Sequence, residues 1–288
     1  MGGAFVALAD DGTAAYWNPA GLAQIPSAHV MATHAFLFRT LADHRFGNAT
    51  LPLSGGFALG VSWISLEVDD IPRFDAAVGG RIGTGSPERL PGGVFPAKDS
   101  EQVYILSIAR MYKFNPELAF YGNLPIEVPI AFSIKYLRQS IGTGTAQGAG
   151  VDFGMMVRVG LKEATGSERA GHVALGLSIR DLTGTYIRWD NRQHESIKPG
   201  VRMGLSYTQP IRTLRGTLVI AEQHKLYNAE TFLIGGEYWY YNVLAVRIGY
   251  GDRFTTGAGL ILWRMMIDYA FVRQNPEGTH RVSASLNF

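Results

Sequence analysis

The sequence predicts an all-β protein, a fourteen-stranded antiparallel transmembrane barrel with a short segment plugging its lumen. Three observations predict it. Apolar residues recur at every second position from about Ser27 to the end, the period of a strand with two unlike faces. The composition, 17% charged with 35 glycines among 288 residues, is lean in charge and in helix formers. Connections between the alternating segments are mostly short on one side and long on the other, as in outer-membrane barrels whose termini share the short side.

The first element is "MGGAFVALADDGTAAYWNPAGLAQIP". A membrane helix needs about 20 mostly apolar residues, and Asp10, Asp11, Asn18 and Pro19 interrupt this stretch. No Lys or Arg precedes Arg39, so it lacks the basic start of a secretory signal. Strands then follow at 28–39, 44–53, 56–67, 101–112, 126–139, 150–162, 172–181, 200–208, 216–225, 230–240, 243–251, 256–263, 265–273 and 279–288. In the sixth, Val151, Phe153, Met155, Val157, Val159 and Leu161 oppose Asp152, Gly154, Met156, Arg158 and Gly160. The seventh sets Val173, Leu175, Leu177 and Ile179 against His172, Ala174, Gly176, Ser178 and Arg180. In the last, Val282, Ala284, Leu286 and Phe288 oppose Arg281, Ser283, Ser285 and Asn287. In the fourth, Tyr104, Leu106 and Ile108 compete with Val103 and Ile105 for the apolar face.

The terminus side would carry the short connections, down to "YN" and "LWRM". The other side would carry the long ones, including a loop over 68–98, "SIGTGTAQGAG" and "DLTGTYIRWDNRQHESIKP". A soluble sandwich also alternates, but its strands are shorter and more closely spaced, whereas a tilted strand needs 9–11 residues to cross a bilayer. Aromatic residues gather near strand ends (Phe36, Phe38, Tyr112, Tyr136, Tyr238, Trp239, Tyr240, Tyr241, Tyr250, Trp263, Tyr269 and Phe271), as at membrane interfaces.

Fourteen strands leave a hole that eight would fill, so residues 1–26 are expected to plug the barrel formed by 27–288. Gly154, Gly160, Gly176, Gly204, Gly235, Gly249 and Gly259 fall on the inward face, where a missing side chain admits a second backbone. Asn18 is placed to cap a turn over 19–23, with proline preset at the first helical position. Residues 4–9 are expected to form another short helix. The lumen face would carry Lys135, Asp152, Arg158, Arg180, Arg202, Glu222, Glu237, Arg247, Asp268 and Arg281, read first as a self-neutralising network. A three-residue turn near Tyr241 pairs Glu237 with Arg247.

Other chemistry is thinly represented. The chain has no cysteine, which excludes disulfides, Cys-ligated zinc and thiol nucleophiles. Its 26 basic and 24 acidic residues form no basic stripe, so nucleic acid is not an expected partner. The seven histidines are scattered without HExxH, and GxSxG is absent. "GTGTAQGAG" lacks the lysine of a phosphate loop. No enzyme activity, cofactor or metal is expected.

The stretch "GGAFVALADDGTAAYWNPAGLA" resembles the N-terminal motif of the PorV/PorQ family of outer-membrane proteins, within the superfamily of the long-chain fatty-acid transporter FadL. Asn18-Pro19-Ala20 matches that superfamily's hatch motif, and the residues from Gly235 to Phe288 look like the family's final strands. The resemblance implies a fourteen-stranded barrel in the bacterial outer membrane with a hatch to which Gly2, Gly3, Phe5, Asp10, Asp11 and Trp17 also belong. It implies that the glycines near Met1 follow a cleaved signal peptide. Two jobs are implied: passive passage of hydrophobic compounds, or docking for the type IX secretion machinery; a structural barrel is the third reading. The implied partners are membrane lipid, a hydrophobic solute or secretion proteins, and the outer-membrane assembly machinery, for which terminal Phe288 would be the signal.

Overall fold

The computed structural model describes residues 1–37, 41–71, 97–118, 122–167, 169–225, 231–274 and 278–288. Among these, sixteen strands share one antiparallel sheet; two of them form a hairpin outside the ring, leaving fourteen in the wall. The wall strands are β1 (His29–Leu37), β2 (Ala42–Pro52), β3 (Phe57–Ile71), β4 (Ala97–Phe114), β5 (Ile126–Ile141), β6 (Gly144–Gly160) and β7 (His172–Arg180). They continue as β8 (Gly200–Ile211), β9 (Gly216–Lys225), β10 (Thr231–Tyr240), β11 (Leu244–Tyr250), β12 (Phe254–Leu262), β13 (Met265–Val272) and β14 (Thr279–Asn287). Each pairs with its neighbour in sequence, and β1 closes on β14 with His29 opposite Asn287. Among the described residues the ring of fourteen closes without a free edge, the condition for a sheet in lipid, where unpaired backbone groups have no water to bind.

The side chains sort as a bilayer requires. Val61, Leu106, Ile134 and Leu175 point outward and exposed. Inward lie small or polar groups, such as Ser62, Ser107, Ser133, Ser178 and Ser206, all nearly inaccessible. In β4 the competition is resolved: Tyr104, Leu106 and Ile108 face out while Ile105 is buried inside. Strands β3 to β6 are the tall part of the wall, and β4 runs for 18 residues. Both termini and the turns at 53–56, 212–215, 241–243 and 263–264 lie at one end; the opposite end is called the outer end below.

Several expectations change. "GTGTAQGAG" is no long loop: β5 and β6 run on to a two-residue turn at Gly142 and Thr143, with Ile141 opposite Gly144. The connection after β7 holds the extra hairpin, Thr185–Trp189 with His194–Ile197, which pairs with the outer part of β6. Residues 4–9 form a single turn, in which the Ala9 amide donates to the Phe5 carbonyl (2.9 Å), and the helix is Ala14–Trp17 instead. Trp239 faces the lumen, where its Nε1 donates to Glu237 (2.5 Å). Glu222 faces outward, directly opposite exposed Leu205 and Ile234. Phe38 and residues 72–96 of the predicted 68–98 loop lie outside the described residues.

Candidate functional site

Residues 1–26 pack against the inward faces of the wall. Ala9, Ala14, Ala15, Ala20, Leu22 and Ile25 bury themselves with wall residues Ala58, Ala109, Ala131 and Met156. The turn after Trp17 starts at Asn18, whose extended backbone and side chain lead into a 3-10 helix, Pro19–Gln24. Proline fits there because its missing N–H lies where no intrahelical bond forms. Asn18 is fully buried and uses both ends of its amide. Its Oδ1 accepts from the Ala20 amide (3.2 Å), and its Nδ2 donates to the carbonyls of Val6 (2.9 Å) and Met155 (3.2 Å).

Wall side chains satisfy much of the remaining backbone. Gln223 Oε1 accepts from the amides of Phe5 and Val6 (3.4 and 3.3 Å), Ser206 donates to the Ala7 carbonyl (3.0 Å), and the Gly2 amide donates to Thr255 (2.9 Å). Arg158 donates to Gln24 (2.6 Å), whose Nε2 donates to the Leu8 carbonyl (2.8 Å). Wall glycines admit this contact. A Cβ on Gly154 would stand 2.2 Å from Asn18 Oδ1, one on Gly176 2.4 Å from the Val6 carbonyl oxygen, and one on Gly235 2.3 Å from the Met1 carbonyl oxygen. Gly204 and Gly249 likewise face Ala7 and Gly2, whereas Gly259 makes room for Asp268 and Arg247.

The charges fall into separate clusters. Lys135 is buried between Asp152 (2.7 Å) and Asp181 (2.8 Å). Arg247 on β11 bridges Glu237 on the neighbouring β10 and Asp268 on β13, reaching across Gly259 of β12. Arg158 lies 3.6 Å from Glu127. Arg180 and Arg202 converge on Tyr16 instead, their guanidiniums 4.6 and 5.8 Å from its ring centre, and Arg202 also lies 5.6 Å from that of Trp17. Burial pushes the Tyr16 phenol up, but the two guanidiniums outweigh it and bring it down to about 8. Asp10 stays open to the lumen, yet the enclosing wall, then Asp11 and Glu237, push it up to about 6. Burial also raises Asp11, against hydrogen bonds from the Thr13 amide (2.8 Å) and hydroxyl (2.5 Å).

Above this segment lies a cavity of about 390 Å³ toward the outer end. Its floor includes Gly2, Gly3, Tyr16 and Trp17, and its walls include Arg202, Leu233, Val272 and Arg281. Phe5 packs edge-on to Trp17 (6.3 Å) below it. Phe288 sits exposed at the terminus end, its amide donating to the Ala28 carbonyl (2.9 Å) across the β1–β14 seam. The convergence of Arg180 and Arg202 on Tyr16, and the role of Gln223, are features that reading the sequence missed.

No family model matches the chain, and no curated protein matches it by sequence. Among solved structures, the chain is similar to the CymD monoaromatic hydrocarbon channel, with 10% identity, 98% of this chain and 94% of that chain covered, and a TM-score of 0.51. Further similar chains are the outer membrane protein Omp33 of Acinetobacter baumannii (8%, 91% and 98%, 0.49) and the Pseudomonas putida toluene transporter TodX (11%, 100% and 98%, 0.48). At these identities the likeness is one of fold. A closed fourteen-stranded wall with an apolar outer band is that of a bacterial outer-membrane barrel.

Proposed function

We propose that this barrel is a passive conduit for small, largely apolar compounds and that residues 1–26 are its hatch. The reading rests on one observation: the segment lies within the lumen and meets the wall through apolar contacts and scattered side-chain hydrogen bonds rather than by joining the sheet. A part held this way can shift without opening a strand ladder. The cavity above it, with Trp17, Leu233 and Val272 among its lining, gives an arriving solute a partly apolar landing place. The fold shared with a channel named for monoaromatic hydrocarbons makes a small aromatic compound the first solute to try. Kinship with the PorV/PorQ group of the FadL superfamily belongs to the same proposal and rests on the two terminal motifs.

The test compares intact protein with a chain lacking residues 1–26, both reconstituted in planar bilayers and in liposomes. The intact barrel is expected to conduct ions poorly and to speed toluene entry while excluding sugars. The truncated one is expected to keep its sheet, conduct in a large steady step and admit sugars. Equal conductance of the two would overturn the hatch, and no effect of intact protein on toluene entry would overturn the conduit.

A further inference from the structure

The outward face of the tall wall changes character in rows, because directly opposed residues share a face. One row reads Val61, Leu106, Ile134 and Val151, all apolar. The next row toward the outer end reads Trp63, Tyr104, Tyr136, Ala149 and Tyr186, an aromatic belt of the kind found at headgroup level. One step further out, about 7 Å along each strand, the row is Arg45, Ser65, Gln102, Arg138, Gln147 and Arg188.

The three arginines of this row differ in company. Arg45 is answered by Glu67 (3.4 Å) and Asp43 (3.7 Å). Arg138 and Arg188 are exposed and form no ion pair among the described residues; Asp190, two residues on from Arg188, accepts from the Thr145 amide (3.0 Å), and Glu101 accepts from Gln139 (2.8 Å). The two flank Gln147 at two strand spacings, about 10 Å apart. Beside Arg138 a recess of about 270 Å³ is lined by Ser100, Gln102, Arg138 and Ser140, with no carboxylate. Tyr104 donates to Gln102 Oε1 (2.9 Å), which turns the Gln102 amide nitrogen into the group left to donate. The recess therefore offers a guanidinium, an amide and two hydroxyls at the depth where a bilayer places its headgroups.

We propose that this strip, Arg138 and Arg188 with Ser100, Gln102, Ser140 and Gln147, binds the phosphorylated sugar headgroup of an outer-leaflet glycolipid. Guanidinium matches phosphate in charge and in fork geometry, the hydroxyls and amides suit sugar oxygens, and the aromatic belt below receives the start of the acyl chains. A soluble phosphate would have no use for that belt.

Native mass spectrometry of the whole protein in detergent tests this with lipid A as the probe, dephosphorylated lipid A as the comparison and inorganic phosphate as competitor. The intact chain is expected to retain lipid A about tenfold more than its dephosphorylated form, and the double variant Arg138→Gln, Arg188→Gln to lose that preference. Arg110→Gln, on the outward face near the other end of β4 against Phe57 and Tyr112, should retain the lipid as the intact chain does. Equal retention by the double variant would overturn the proposal, as would equal retention of the two lipids. Displacement of the lipid by inorganic phosphate at equal concentration would show a general anion site and overturn the glycolipid assignment. Circular dichroism confirms that each variant keeps its sheet.

Discussion

Asn18 carries more of the lumen segment than any cap on an exposed helix would. Its Oδ1 starts the 3-10 turn, but its Nδ2 ties that turn to the Val6 carbonyl and to β6. Alanine leaves buried carbonyls without a donor, at a cost of about 2 kcal/mol. Aspartate restores the cap but sets a carboxylate against two carbonyls. Opening events in single-channel records are therefore expected to rise in the order intact, Asn18→Ala, Asn18→Asp; an aspartate that behaves as wild type would mean that capping alone matters. Asp10 adds a pH dependence. Its pKa of about 6 lies above the ordinary 3.8, so the docked segment binds the proton more tightly than the released one. Docking is weakest above pH 6, where the carboxylate is charged, and strengthens as pH falls from 6 toward 4. Openings should grow rarer between pH 7 and pH 5, and Asp10→Asn should weaken the change, leaving the part that Asp11, also raised by burial, contributes; openings that increase on acidification would contradict the assignment.

At the level of elements, the inner faces of β6, β7, β8, β10 and β11 are shaped by the backbone lying on them. A side chain at Gly176 has no room against the Val6 carbonyl, whereas a Cβ on Gly200 meets nothing within 4 Å. Since the chain has no native cysteine, one placed at buried Ala7 reports docking through its rate of maleimide labelling. Gly176→Val should speed labelling about tenfold or more and Gly200→Ala should leave it unchanged; the reverse order would place the segment elsewhere. The strands themselves were legible because lipid on one side and a polar lumen on the other impose strict alternation. That signal fades where both sides are wet, so the outer ends of β5 and β6 read as a glycine-rich loop. In β9, Leu218, Ile220 and Glu222 face out while Val219, Ala221 and Gln223 face in, and two mixed faces hid the orientation of Glu222. The Glu237–Arg247 pairing follows from turn length alone. The meeting of Arg180 and Arg202 with Tyr16 does not, because it depends on where a distant segment lies in the lumen.

For the whole molecule, stability rests on where the apolar band begins and ends. Along β5 the outward residues run from Val128 through Ile130, Phe132 and Ile134 to Tyr136, with Arg138 beyond. That stretch rises roughly 27 Å at about 3.4 Å per residue, or about 21 Å at a 40° tilt, close to the ~25 Å band of an outer-membrane barrel. Phe132 lies at its middle and Thr145 beyond its outer rim, and both are exposed on the same face. A lysine at Phe132 must bring its ammonium into hydrocarbon, at about 2–4 kcal/mol, whereas one at Thr145 meets water and costs about 0–1 kcal/mol. Urea titrations of protein folded into phospholipid vesicles measure both, with the midpoint of Phe132→Lys falling well below that of Thr145→Lys. In water without lipid or detergent neither substitution has a bilayer to sense, and the intact chain is expected to aggregate because its outward band has nothing else to pack on. Equal midpoints in vesicles, or a monodisperse detergent-free monomer that unfolds cooperatively, would remove the membrane from the account of this wall.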